Sequence, residues 1–349
     1  MVIVGIDAHK RTHTAVAIDE AGRKLGQMTT TTTTTQANLE LVRWADRFGT
    51  ERRFAVEDCR HLSRRLEADL LAAGEQIVRV PPKLMAHARD AARTYGKSDP
   101  IDALAVARAA LREPNLPLAR LDARTRDLRL LVDHREDLVR ERTSQVNRLR
   151  WHLHELDPSW DPAPRSLVRL KRLDEVASRL STIDGTLGWV ARDLVARIRE
   201  LSLAANELER RITGIVGLEA PVLLGLAGVG ALTAAKIVAE TADARRFRSK
   251  DAFARHNGTA PLPVWSGNRE RHRLSRTGNR QLNAALHRIA ITQMRIHQPA
   301  KDYLQRRIAM GNTKTEALRA LKRRLSDVVF RALVMDAEMA AEHALGDAA

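Results

Sequence analysis

One cysteine, Cys59, in 349 residues leaves no partner for an internal disulfide and no thiol set for a cysteine-rich zinc site. Such a chain suits a reducing cytoplasm. Aromatic residues make up 3% of the sequence, too few for base stacking to be the main grip on a single strand. No apolar run reaches the roughly 18 residues of a membrane span. The amino terminus enters a strand pattern directly, where a secretory leader would show a charged and then an apolar stretch. The expectation is a cytoplasmic, nucleoid-associated protein with no membrane partner.

Positive charge is what the chain has in excess. Lysine and arginine number 59 against 43 acids, a formal net charge of +16. That balance points to a polyanionic partner, because lysine and arginine pair with phosphate whatever the base sequence. The length suffices for two or three domains.

Up to about residue 118 strands and helices alternate. Val2–Ile6, Thr14–Ile18 and Leu25–Thr31 read as strands in hairpin order, with Glu20-Ala21-Gly22 as a turn. A helix near 37–48, a strand at 53–56, a helix near 62–73 and a strand at 77–80 follow. This pattern predicts a mixed sheet with helices on its faces. From about Asp122 to Gly217 leucines recur at helical spacing among arginines and glutamates, which predicts two long antiparallel helices, with a coiled coil as one form. The remainder is mainly helical.

Four acids carry the strongest chemical signal. Asp7 follows the apolar run 2–6, and Glu57 follows Phe54-Ala55-Val56. Asp99 and Asp102 sit three apart at the start of a helical pattern, on one helix face. Carboxylates so placed suit a hard divalent cation, Mg²⁺ or Mn²⁺, which leaves part of its shell to water and phosphate. Each acid also has a structural explanation. Asp99 could be an N-cap before Pro100, with Asp102 as the third-residue acid of a capping pair, and Asp58 rivals Glu57.

Two later segments carry the basic charge. Gly228-Val229-Gly230 between helical stretches, with Lys236 just beyond, offers backbone N–H groups to a DNA phosphate in the manner of a helix-hairpin-helix element. Ten lysines and arginines stand against Asp251 and Glu270 between Arg245 and Arg280. Within this stretch, Ser266 and Ser275 are bracketed by glycines and by Arg269, Arg271, Arg273, Arg276 and Arg280. It reads as a phosphate-handling loop, in which arginine offers paired donors to phosphate and to the charge built up during its transfer.

Gly-Ile-Asp-Ala-His-Lys (5–10), Val-Glu (56–57) and Lys-Ser-Asp-Pro-Ile-Asp-Ala (97–103) resemble the DEDD motifs of the insertion-sequence 110 family of transposases, which includes the Piv-type DNA invertases. The Gly-Val-Gly hairpin and the segment 266–283 resemble that family's carboxy-terminal domain, in the same order along nearly the whole chain. The resemblance implies a RuvC-like, RNase H-type catalytic domain over 1–118 with Asp7, Glu57, Asp99 and Asp102 as its tetrad. It implies a helical coiled-coil arm over 119–217 and a carboxy-terminal transposase domain over 218–349. Family members supply a nucleophilic serine, and the match places it at Ser266, with Ser275 its rival on chemistry alone. They act as oligomers, dimers or tetramers, on double-stranded donor and target DNA, guided by a structured bridge RNA. Two departures stand out: Asp-Cys-Arg follows Glu57 where relatives often have Ala-Thr-Gly, and Pro100 separates the two distal aspartates. A Holliday-junction-type endonuclease using water as nucleophile is the alternative.

Overall fold

The computed structural model describes residues 1–31, 34–57, 62–82, 84–85, 98–113, 116, 118–119, 123–267, 269–274 and 278–346. Asp58, Cys59, Ser275 and Arg276, singled out above, lie outside them. The chain forms two compact units.

The first unit comprises residues 1–122, 242–287 and 302–337. Its sheet is built from β1 (Val2–Ala8), β2 (Thr12–Ile18), β3 (Lys24–Thr31), β4 (Arg52–Glu57) and β5 (Ile77–Val80), in the order β3-β2-β1-β4-β5. The first three strands are antiparallel neighbours, while β4 runs parallel to β1 and β5 parallel to β4. The mixed sheet read from the alternating pattern is the one observed.

Successive residues of β1 serve opposite faces. Val4 and Ile6 join Phe54, Val56, Leu41, Leu66 and Leu70 in one core, beneath helices α1 (Thr35–Ala45) and α2 (Arg64–Ala72). Ile3 joins Ala55, Val16 and Ile18 in the other, beneath α3 (Asp99–Arg112), which contributes Ala103, Val106, Ala107 and Ala110. Both faces are covered, so β1 is almost wholly apolar rather than alternating, as a central strand should be.

The helix α3 starts one residue earlier than the capping argument predicts. Ser98 is its N-cap, with extended backbone, and Pro100 is its second residue. Ser98 O accepts hydrogen bonds from Ile101 N and Asp102 N. Neither aspartate is therefore the N-cap, and the capping explanation no longer accounts for the pair.

The basic segment contains strands, which the reading as a loop did not anticipate. β6 (Pro261–Ser266) and β7 (Arg269–Leu274) form an antiparallel hairpin in which Ser266 pairs with Arg269 and Pro261 with Leu274. Pro261 and Pro263 argue against a strand, but proline is tolerated in an edge position. Gly267, at φ 58°, opens the turn, so Ser-Gly-Asn-Arg was a two-residue hairpin signal.

In the same unit, α9 (Lys250–His256) and α12 (Lys314–Gly346) share an aromatic contact, Phe253 against Phe330 at 5.5 Å. Asn257 is fully buried; its Nδ2 donates to Ser326 Oγ at 2.7 Å, and its Oδ1 accepts from Thr259 N and Oγ1.

The second unit comprises residues 123–241, 288–301 and 338–349. Helices α4 (Ala123–Leu156) and α6 (Gly185–Glu219) run antiparallel: Arg124 pairs with Glu219, Arg135 with Glu209, and Arg197 with Glu141. The core at one end gathers Leu149, Leu153, Leu173, Val176, Leu194 and Ile198, with α5 (Leu170–Leu180) laid across it. Beyond α6 come a single turn, α7 (Pro221–Leu224), and then α8 (Ala231–Thr241). Among the described residues no helix is long and apolar enough to cross a membrane.

Candidate active site

The site begins with a glycine. A Cβ built on Gly5 would lie 2.7 Å from Ala107 Cβ and nearer still to Ala103 O and Ala107 N. Only a glycine on β1, met by a run of alanines on α3, lets strand and helix approach so closely. The contact falls two residues before Asp7 and one residue after Asp102, and so brings the Asp102 charge near enough to act on Asp7.

Asp7 is 5% exposed and Asp102 7%. Burial is the main cause that raises the Asp7 pKa; the charges of Asp102 and Asp99 push the same way, while His9 opposes them. A carboxyl buried among carboxyls is one that gains when a cation arrives. Asp99 and Asp102 occupy the first turn of α3, where the helix dipole favours negative charge.

His9 links two of these acids. Its Nε2 lies 3.0 Å from Asp7 Oδ2 and 3.5 Å from Asp99 Oδ1. Asp7, His9 and Asp99 each present a donor atom within 4.8 Å of the others, a set able to hold a metal ion. His9 belongs to the Gly-Ile-Asp-Ala-His-Lys motif, in which the aspartate alone carries an expected role. The signal for His9 was the spacing itself, since a histidine two residues after a strand-end aspartate is returned to that aspartate's side.

Glu57 closes β4 one residue beyond Val56, whose partner across the parallel ladder is Ile6. It is partly buried, on the neighbouring strand to Asp7. Its position shares the α3 side of the sheet with Ala55. The four acids of the expected tetrad thus lie at the carboxyl ends of β1 and β4 and in the first turn of α3, and among the described residues Asp7 and Asp99, without Glu57 or Asp102, share the close donor set with His9.

Ser266 is the last residue of β6, at the hairpin tip, and Arg269, Arg271 and Arg273 take alternate positions on β7. Arg280 is exposed at the first position of α10 (Arg280–Ile296). Two neighbours of the arginines have structural duties. Asn279 Oδ1 accepts from Gln281 N and Leu282 N, capping α10. A Cβ on Gly278 would lie 2.5 Å from Gly258 Cα, which ties together the two chain segments entering and leaving the hairpin.

The Gly-Val-Gly element lies between two short helices, as expected, while Lys236 is placed differently. Gly228 has φ 81°, and a Cβ there would lie 3.2 Å from Gln293 Cγ; Gln293 Nε2 donates to Ala227 O at 2.7 Å. Gly228 packs closely on Gln293, while Gly230 is exposed. Lys236 is 3% exposed, its Nζ 2.8 Å from Glu136 Oε2 and 3.4 Å from Asp133 Oδ1. Its ammonium fastens α8 to α4 and is not presented to a phosphate. The sequence pattern showed a lysine on a helix, and only the facing acids on α4 reveal its use.

A transposase family model matches residues 4–158, and a second, described as the transposase of the IS116/IS110/IS902 family, matches residues 220–305. The chain is 30% identical to an uncharacterized 44.8 kDa protein of insertion element IS116 from Streptomyces clavuligerus, over 95% of this chain and 94% of that protein. It is 26% identical to an uncharacterized 43.6 kDa protein of insertion element IS110 from Streptomyces coelicolor, over 95% and 94%. Among solved structures, RuvC of Thermus thermophilus aligns with 34% of this chain and 100% of its own, at 17% identity and a TM-score of 0.28. The chain belongs to the IS116/IS110/IS902 family of transposases.

Proposed function

We propose that this transposase cuts and rejoins DNA through a phosphoserine intermediate, with a RuvC-like DEDD tetrad of Asp7, Glu57, Asp99 and Asp102 holding Mg²⁺ or Mn²⁺. The observation that carries the reading is the placement of Asp7 and Glu57 at the carboxyl ends of the neighbouring strands β1 and β4 and of Asp99 and Asp102 in the first turn of α3, with the pKa of Asp7 raised by burial and by the charges of Asp102 and Asp99. The donor set of Asp7, His9 and Asp99 fits a divalent ion. Bound there, such an ion supplies Lewis-acid polarisation of a phosphate oxygen.

In the proposed chemistry Ser266 Oγ attacks a DNA phosphorus. The Oγ–P bond forms, the bond from phosphorus to a deoxyribose oxygen breaks, and that oxygen leaves as a free hydroxyl by taking up a proton. The serine proton passes to a nearby base. A covalent ester retains the bond energy, so strands exchange and reseal without ATP. Arg269, Arg271, Arg273, Arg276 and Arg280 steady the phosphates and the charge that builds on them.

Residues 1–118 then form the catalytic domain, 119–217 the helical arm and 218–349 the serine-bearing domain. The partners are donor and target duplexes, a structured guide RNA and further copies of the chain, in the cytoplasm at the nucleoid. The net charge of +16 supports the polyanionic partners.

The test is a covalent-adduct assay on the full chain purified with its bound RNA. Labelled DNA is incubated with Mg²⁺, denatured and examined for label that travels with protein. Loss of the adduct in both Ser266→Ala and Asp102→Asn is the expected result. Cleavage that survives Ser266→Ala and leaves free DNA ends would instead indicate a Holliday-junction-type nuclease using water.

A further inference from the structure

We infer that His9 is a metal ligand, so that the site is a mixed nitrogen and oxygen centre that prefers Mn²⁺ to Mg²⁺; the inference rests on the proposed metal tetrad. Three observations carry it. First, His9 Nε2 lies 3.0 Å from Asp7 Oδ2 and 3.5 Å from Asp99 Oδ1. Adjacent ligands on an octahedral ion with bonds of about 2.1 Å stand about 3 Å apart. The imidazole nitrogen, hydrogen-bonded to Asp7 Oδ2 here, therefore lies at the distance of a neighbouring ligand on the same ion.

Second, one nitrogen cannot serve both acids as a donor. Nε2 carries at most one hydrogen; spent on Asp7 Oδ2 at 3.0 Å, it leaves none for Asp99 Oδ1 at 3.5 Å. A cation between all three resolves the arrangement: Nε2 turns its lone pair to the ion, Nδ1 keeps the proton, and both carboxylates lose their mutual repulsion. Third, His9 is half exposed, at 49% of its side chain. That exposure leaves room for water and phosphate to complete an ion's shell beside it.

The chemistry of the donor sets the preference. Mg²⁺ takes oxygen almost exclusively and gives up its water reluctantly. An imidazole nitrogen is better matched to first-row transition ions than to Mg²⁺, and Mn²⁺ is the one among them that also suits carboxylate and water ligands. His9 is thus a selectivity residue for the ion, added to carboxylates that would bind either one.

The experiment uses the full chain, titrated with Mn²⁺ and with Mg²⁺ in the absence of DNA, for wild type, His9→Ala and Asp7→Asn. Calorimetry gives the affinities, and pulsed electron paramagnetic resonance of the Mn²⁺ complex reports any directly bound nitrogen. The expected result is a nitrogen coupling in wild type that His9→Ala abolishes. Mn²⁺ affinity should fall about tenfold or more in His9→Ala, in the range seen when a metal site loses one supporting contact, while Mg²⁺ affinity stays within about twofold. Unchanged Mn²⁺ affinity and no nitrogen coupling in wild type would overturn the inference and leave the tetrad standing. Absence of binding by either ion in wild type, with Asp7→Asn indistinguishable from it, would overturn the tetrad itself.

Discussion

Gly5 and Ala103 are in backbone contact across the β1–α3 interface: a methyl group on Gly5 would collide with the Ala103 carbonyl oxygen. The neighbours of that contact are Asp7 on the strand and Asp102 on the helix. Packing density and the geometry of the acidic site are therefore controlled by the same pair.

Gly5→Ala is predicted to push α3 off the sheet. Overpacking of this kind costs about 1–3 kcal/mol, and here backbone, not a flexible side chain, must move. The thermal midpoint should fall, and Mn²⁺ affinity should fall with it although no ligand has been changed. A variant that melts lower but binds Mn²⁺ as wild type would separate the packing from the site.

Asp7→Asn is predicted to stabilise the metal-free protein at neutral pH. The folded pKa of Asp7 is raised, chiefly by burial, so folding holds its proton more tightly than the unfolded chain does. Its contribution to stability is present below the unfolded value and is lost as pH rises through the folded one. Melting in chelator at pH 7 should show Asp7→Asn above wild type, and saturating Mn²⁺ should reverse the order.

His13 predicts the opposite slope at acid pH. It is 3% exposed, and its pKa is lowered to about 4, mainly by burial and further by His9. The unfolded chain binds a proton that the folded chain refuses, so stability is complete above about pH 6.5 and declines as pH falls towards 4. The full loss from this group is about 3 kcal/mol. His13→Phe should flatten that part of a pH-dependent denaturation curve; an unaltered slope would assign the acid lability elsewhere.

Lys236 and the hairpin arginines should behave differently in one salt experiment. Each alanine substitution at Arg269, Arg271 or Arg273 that removes a phosphate contact should reduce the slope of log K against log salt by about 1. Lys236→Met should leave the slope alone and instead destabilise the fold. Breaking a fully buried pair costs about 3–5 kcal/mol, and the partial exposure of Asp133 and Glu136 brings the expected loss to the lower end. A Lys236→Met protein of normal stability but shallow salt dependence would return this residue to the DNA-binding set.

Much of the first unit was legible because its rules are local. The strand at 77–80 has the predicted limits, and β1, β2 and β4 each extend the predicted segments by one or two residues. Apolar runs closed by an acid mark both a strand and its end. The hairpin over 261–274 was not legible, because two prolines hid a strand that a Gly267 turn nevertheless supports. The role of Lys236 was hidden too, since its partners lie about a hundred residues earlier in the chain.

The sequence by itself determined the alternation of strands and helices, the excess of positive charge, and the presence of four acids at element ends. These follow from short-range preferences and from periodic burial, which each segment expresses alone. Tertiary structure alone decided that the Asp102 charge acts on Asp7, that His9 reaches both Asp7 and Asp99, and that Lys236 is consumed by packing. Those outcomes depend on how closely two elements approach. Separation between elements is set by the shape and volume of side chains on both partners, as Gly5 against Ala103 and Ala107 shows, and no single segment carries that information.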